Sequence, residues 1–161
     1  MSKKTLKLVL AGAFVAGALG AVGLRSAWAT APQGVITNTV QGPFGLDEIF
    51  ALNNAPPDYT AVVKTRGLSD TYFQYLKIAP GGNTGWHSHP GISFVMVQSG
   101  TLTIYQDDFT SAVYPAGTGF VEEAGDVHIA VNEGDTNLEL AVFYLLPKGA
   151  PRRIDEPAPQ P

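Results

Sequence analysis

Three histidines are the residues of this sequence best suited to chemistry. His87 and His89 are two positions apart, so in an extended segment both imidazoles leave the same face of the strand. His128 lies on a later predicted strand. Three imidazoles from two strands can hold one divalent ion and leave coordination positions open for water or a substrate. The alternative is that the histidines are structural and only form hydrogen bonds.

The amino-acid composition restricts what else a metal site can use. The chain has 161 residues and no cysteine, which excludes disulfide bonds, thiolate zinc sites, iron–sulfur clusters and a cysteine nucleophile. Any metal must therefore be held by histidine nitrogen atoms and by oxygen atoms of other residues. With 45% hydrophobic residues the chain can build a core, and its length suits one domain.

Glycines stand at set distances around both histidine segments. The first segment has the order glycine, five residues, His-x-His, three residues, serine, six residues and glycine, at Gly81, His87, His89, Ser93 and Gly100. The second has the order glycine, five residues, glutamate, one residue, glycine, two residues, histidine, three residues and asparagine, at Gly117, Glu123, Gly125, His128 and Asn132. Together they resemble the two motifs of the cupin family, except that the family has glutamate at the position of Ser93 and proline at that of Glu123.

The resemblance implies an all-β, single-domain fold, a double-stranded β-helix that forms a jelly-roll barrel and is often dimeric. It implies that His87, His89 and His128 bind a divalent metal ion (Fe²⁺, Mn²⁺ or Zn²⁺) in the barrel mouth. Ser93 is a poor ligand, so the site lacks the usual carboxylate. Strand parity can aim only one of Glu122 and Glu123 inward to replace it; otherwise both are solvated charges at a strand edge.

Short segments rich in Val, Ile, Thr, Tyr and Phe, punctuated by glycine and proline, predict ten strands. We expect them at residues 35–40, 61–65, 71–78, 85–89, 92–98, 101–106, 111–114, 120–123, 127–132 and 138–146. This spacing favours a sandwich or a small barrel. The one helical pattern is at residues 46–50, enough for one or two turns.

Alternation along two of these strands predicts which side chains face the interior. Lys77 and Glu139 should face water, so the alternate positions point inward. These positions are Tyr72, Gln74, Leu76, Ile78, Leu138, Leu140, Val142 and Tyr144. Tyr72, Gln74 and Tyr144, together with Ser93, are candidates to line a pocket and orient water or substrate; alternatively they are ordinary core residues with satisfied hydrogen bonds. No residue is identified as catalytic.

Residues 1–29 are predicted to be a secretory signal peptide. Lysines at positions 3, 4 and 7 precede a charge-free run over residues 8–24, and Ala27 and Ala29 are the small residues of a cleavage site. An uncleaved membrane anchor is the alternative, although the run is short and diluted by glycine and alanine. The mature protein is therefore expected to be extracytoplasmic, periplasmic or secreted, with no membrane association after cleavage.

The mature chain is predicted to have three parts. Residues 30–60 form an N-terminal strand and linker, residues 61–146 the cupin barrel, and residues 147–161 a proline-rich tail that is either solvated or packed over the domain or a partner subunit. Without residues 1–29 the chain has 6 basic and 14 acidic residues, a net charge of −8. It therefore has no electrostatic reason to bind nucleic acid.

The sequence thus predicts an exported cupin that binds a divalent metal and a small-molecule ligand or substrate, with a homodimer as its expected assembly. Iron would favour an oxygenase, since some cupins that hold iron with three histidines, such as the thiol dioxygenases, are oxygenases. Zinc or manganese would favour an isomerase or decarboxylase. The alternative is a module that binds a small ligand or metal without turnover, because the sequence shows no obvious general base.

Overall fold

The structure is a computed structural model that describes residues 29–55 and 58–160. Over these ranges the chain is all β, with twelve strands and no helix. Within the same ranges there is accordingly no helix long and apolar enough to cross a membrane. The predicted signal peptide, apart from its last residue, lies outside the described residues.

The strands have the following bounds in chain order. They are β1 (Gln33–Leu46), β2 (Phe50–Ala55), β3 (Tyr59–Lys64), β4 (Ser69–Asn83), β5 (His87–Ser88), β6 (Ile92–Ser99), β7 (Thr101–Gln106), β8 (Ser111–Pro115), β9 (Gly119–Glu122), β10 (His128–Val131), β11 (Leu138–Pro147) and β12 (Ile154–Asp155).

Ten of these strands form a nearly closed antiparallel barrel, which confirms the predicted jelly-roll fold. The order β1-β4-β11-β6-β9 makes one wall, and β12-β5-β10-β7-β8 makes the other. Strand β4 joins the two walls: it pairs with β11 along most of its length and with β10 at Asn83. Strands β2 and β3 form a separate hairpin. The barrel places both histidine segments, on β5 and β10, side by side.

The barrel interior is filled by alternate side chains, as strand parity predicts. Along β11 every second residue from Leu138 to Leu146 is buried. Lys77 and Glu139 are paired opposite each other on the outer face, with Nζ and Oε1 2.8 Å apart. The buried apolar core consists of Leu76, Ile78, Val95, Val97, Leu102, Ile104, Ala130, Leu138, Leu140, Val142, Tyr144 and Leu146.

The helical turn predicted at residues 46–50 is wrong. Leu46 is the last residue of β1 and pairs with Ser69, while Phe50 opens β2 and pairs with Lys64. Both apolar side chains are exposed, so no buried face exists to hold a helix at this point. The hairpin strand β2 was also not predicted, and β1 and β4 extend beyond their expected bounds because cross-strand pairing continues there.

The C-terminal residues pack across the barrel. Ile154 and Asp155 pair with Ser88 and His87, and the backbone N–H of Glu156 donates to the carbonyl of Trp86 at 3.0 Å. We call residues 152–156 the C-terminal strap. Of the two arrangements left open for the proline-rich tail, this part adopts the packed one.

Leu138→Ala should lower the free energy of unfolding by about 3–5 kcal/mol, because it empties a fully buried position in the core. Val113→Ala is the matched control: this side chain is exposed on β8, and its loss should cost less than about 0.5 kcal/mol. Urea unfolding monitored by circular dichroism measures both. Equal losses would contradict the assigned core.

Candidate metal centre

The three histidines meet inside one end of the barrel. His87 opens β5, His89 directly follows that strand, and His128 opens β10, where it is the direct antiparallel partner of His87. All three side chains are buried. One nitrogen from each ring lies within 4.8 Å of the corresponding nitrogens of the other two. The pairing of β5 with β10 therefore brings the two sequence motifs together at one point.

Each imidazole is oriented by a backbone carbonyl. The Nδ1 atoms of His87, His89 and His128 donate to the carbonyl oxygens of Gly85, Arg152 and Asp126 at 2.9, 2.7 and 2.9 Å. A carbonyl oxygen only accepts, so Nδ1 carries the hydrogen in each ring, and Nε2 of the neutral ring keeps its lone pair. In proteins, metal-binding histidines are commonly oriented by such a hydrogen bond from the ring nitrogen that does not bind the metal.

Gly85 makes the turn into the first histidine segment possible. Its φ is +68°, and a Cβ atom at this position would lie 2.2 Å from the carbonyl oxygen of Thr30. A side chain is therefore excluded both by backbone conformation and by space. The N-terminal segment packs directly against this turn.

Glu122 brings a carboxylate to the histidines. It is the cross-strand partner of Ser93 in the β6–β9 pair, and the Ser93 hydroxyl donates to its Oε2. Its Oε1 lies 3.2 Å from Nε2 of His128, and its Oε2 lies 3.5 Å from Nε2 of His89. Its side chain is 10% exposed, whereas Glu123 is exposed. Of the two acids that the sequence left open, Glu122 is the one that points inward.

The pKa values of these groups suit the binding of a cation. Burial lowers the pKa of His87 well below its ordinary value and also lowers the pKa of His89. Burial also opposes the charge on His128, but the adjacent Glu122 carboxylate outweighs it and raises the pKa. For Glu122, burial favours the neutral acid, yet the adjacent His128 keeps the pKa lowered. His87 and His89 are thus neutral ligands beside an ionised carboxylate.

The donor set fits a divalent metal ion. Nε2 of His128 is buried and, among the described residues, has no hydrogen-bond partner, although the Glu122 carboxylate is 3.2 Å away. With hydrogen on Nδ1, the neutral ring and the carboxylate both present lone pairs, so a proton or a metal ion must lie between them for both to be stabilised. Three imidazoles and one carboxylate suit Fe²⁺, Mn²⁺ or Zn²⁺.

A cavity of about 130 Å³ opens beside the histidines. Of the predicted pocket residues, Gln74 and Tyr144 line it, whereas Ser93 is fully buried behind Glu122 and Tyr72 packs against the core. The Tyr144 hydroxyl donates to Oε1 of Gln74, and Nε2 of Gln74 donates to Oδ1 of Asn38 at 2.6 Å. Burial raises the pKa of Tyr144 to about 12, so its hydroxyl keeps its proton at neutral pH.

Two residues of the strap, which the sequence did not assign to the site, also line this cavity. Nη1 of Arg152 donates to Oε1 of Gln74 at 2.9 Å and to the Tyr144 hydroxyl at 3.2 Å. Its guanidinium lies 5.3 Å from the centre of the Tyr144 ring. Arg153 also lines the cavity. The only sequence signal for them was two adjacent arginines in a proline-rich tail.

Residues 74–144 match the family model described as the cupin domain. A cupin-2 domain protein from Shewanella frigidimarina is 21% identical, with a TM-score of 0.41, over 46% of this chain and 69% of that one. An oxalate oxidase in complex with glycolate is 28% identical, with a TM-score of 0.42, over 45% of this chain and 40% of that one. A predicted oxalate decarboxylase from Thermotoga maritima is 20% identical, with a TM-score of 0.42, over 50% and 82%.

The chain spans two fifths of that oxalate oxidase. No curated protein matches the sequence significantly. The matched segment contains all three histidines, Glu122 and most of the barrel core. Residues 74–144 therefore form a cupin domain.

Proposed function

We propose that this protein binds one divalent metal ion through His87, His89, His128 and Glu122 and holds a small molecule beside it. One observation carries this proposal: the three imidazoles, each oriented by a backbone carbonyl, converge on one buried point. Glu122 adds a charged oxygen at the same point. Preorganised ligands of this kind cost little to arrange when the ion binds.

The residues around the cavity have separate roles in this function. A redox metal such as iron would supply oxygen activation at its open positions, and zinc or manganese would supply Lewis acidity. Gln74 and Tyr144 present a fixed polar edge to the bound molecule, because each is held by hydrogen bonds to its neighbours. The apolar side chains of the barrel exclude water from the remaining wall.

Metal analysis of the untagged protein tests the proposal. After anaerobic loading with Fe²⁺, Mn²⁺ or Zn²⁺ and removal of excess metal, we expect about one equivalent of at least one of them. Retention of less than about a tenth of an equivalent of each would overturn the metal centre and leave the histidines as hydrogen-bonding residues.

A binding module without turnover is the second candidate. Among the described residues that line the cavity, Glu122 is the only carboxylate, and it lies against the histidines. Tyr144 holds its proton with a pKa of about 12. None of these described lining residues is thus placed as a free general base. Oxygen uptake by the iron-loaded protein with thiols, diketones or phenols would indicate an oxygenase; binding that changes the metal spectrum without uptake would indicate the module.

We also propose that residues 1–29 direct export and are removed. The motif of lysines, an apolar run and small residues before Thr30 supports this. N-terminal sequencing of the protein from a bacterial periplasm should begin at Thr30, and a retained N-terminus in the membrane fraction would contradict it. The homodimer stays a prediction from the family resemblance, which light scattering on the purified protein checks.

A further inference from the structure

The cavity beside the metal centre has an excess of positive charge. Arg152 and Arg153 line it, while Glu122 is the only acid among its described lining residues. Asp155 pairs with Nε of Arg153, but its side chain is 59% exposed, so water screens it. A divalent ion would add two further positive charges. The whole chain carries a net charge of −4, so this excess is local and favours an anionic ligand.

Arg153 presents a donor that has no acceptor. Its Nη2 atom is buried and, within the described part of the chain, makes no hydrogen bond. A buried guanidinium N–H without an acceptor destabilises the folded protein, and an acceptor on a bound ligand would remove this penalty. Arg153 also lies close to the metal centre, because it lines the same cavity as His87 and His89. The side chain that carries this unpaired donor thus lines the cavity beside the histidines.

The C-terminal strap holds both arginines in place. The carbonyl of Arg152 accepts from Nδ1 of His89, so one residue both orients a metal ligand and carries a cavity side chain. The Ser88 hydroxyl donates to Oε1 of Glu156 at 2.8 Å, and Ile154 pairs with Ser88. The positions of the two guanidinium groups relative to the histidines are therefore set before any ligand binds.

We propose that the strap makes this site selective for a small carboxylate with an apolar body. The carboxylate accepts from Nη2 of Arg153, with the Arg152 charge beside it, and the body lies against Leu76, Val95 and Val142. A dry cavity of about 150 Å³ holds benzene, so a cavity of about 130 Å³ takes a body of nearly that size. This deepens the function proposed above and rests on it for the metal beside the carboxylate.

Benzoate and the neutral benzyl alcohol are the probes that test this selectivity. Calorimetric titration of the zinc-loaded and the chelator-treated protein should show benzoate binding at least about tenfold more tightly than benzyl alcohol in both forms. Arg153→Gln should remove most of that preference in the chelator-treated protein, where no metal charge favours benzoate. Arg153→Lys, which keeps the charge, should retain part of it. Arg66→Gln, at an exposed position outside the cavity, should leave it unchanged.

Two results would overturn the selectivity. The first is equal binding of the two probes by the wild-type protein, which includes failure to bind either of them. The second is an unchanged preference in both Arg153 variants. Metal content measured on the same samples separates the two proposals. Loss of most of the preference in chelator-treated Arg153→Gln, with metal retained in the zinc-loaded sample, supports both. A preference that depends on Arg153 in a protein that holds no metal refutes the metal centre alone.

Discussion

His128→Ala is expected to lower the affinity for a divalent metal by more than about a hundredfold, because it removes a metal ligand. Removing only a residue that hydrogen-bonds to a metal ligand already lowers metal affinity by about ten- to a hundredfold. His128 lies closest to Glu122 and joins β10 to β5 at the site. Without its nitrogen, the two histidines of the first motif and one carboxylate remain. Calorimetric titration with Zn²⁺ and metal analysis after dialysis measure the loss.

A loss of fold must be distinguished from a loss of ligand in this experiment. Removing one partner of a buried charged pair costs about 3–5 kcal/mol, and His128→Ala leaves Glu122 buried without its nearest nitrogen. His87→Ala is the second variant, since the histidines in close contact with Glu122 are His89 and His128. Thr84→Val is the control, at a buried cavity residue that supplies no ligand. Folded histidine variants that bind zinc as the wild type does would refute the site.

Glu122→Gln is expected to weaken metal binding by about a hundredfold while the protein stays folded, because it removes a charged ligand and keeps the shape and an acceptor for Ser93. Titration with Mn²⁺ is the most sensitive measurement, since this ion prefers carboxylate oxygen. Glu123→Gln, one residue further and exposed, should bind Mn²⁺ as the wild type does. Equal affinities in the two variants would show that Glu122 is not a ligand.

Moving the carboxylate across the strands sharpens this test. Ser93 and Glu122 are direct partners in β6 and β9, and Ser93 stands where the cupin motif has its glutamate. The double variant Ser93→Glu/Glu122→Ser should therefore recover most of the affinity lost in Glu122→Gln, to within about tenfold of wild type. No recovery in a folded double variant would mean that the position of the carboxylate, and not only its charge, is specific to β9.

Much of the fold could be predicted because it depends on local patterns. Side chains along β11 alternate between the buried face and the solvent-facing side, and this period of two is visible in consecutive residues. The failure at residues 46–50 has a different origin, since Leu46 pairs with Ser69 and Phe50 with Lys64, and both partners lie outside the short segment whose pattern suggested a helix.

The sequence by itself determined the three histidines and the strand faces, because spacing within a strand decides which side chains share a side. The barrel was predicted from the resemblance of the two histidine motifs to the cupin family. Only the tertiary structure decided that Glu122, and not Glu123, reaches the histidines, because that depends on the register between β6 and β9. It also brought Arg152 and Arg153 into the cavity through pairing of the strap with β5. The carboxylate that the first motif lacks at Ser93 is thus supplied from the neighbouring strand, since side chains opposite each other in an antiparallel pair share one face, with Cβ atoms about 4.5–5.5 Å apart.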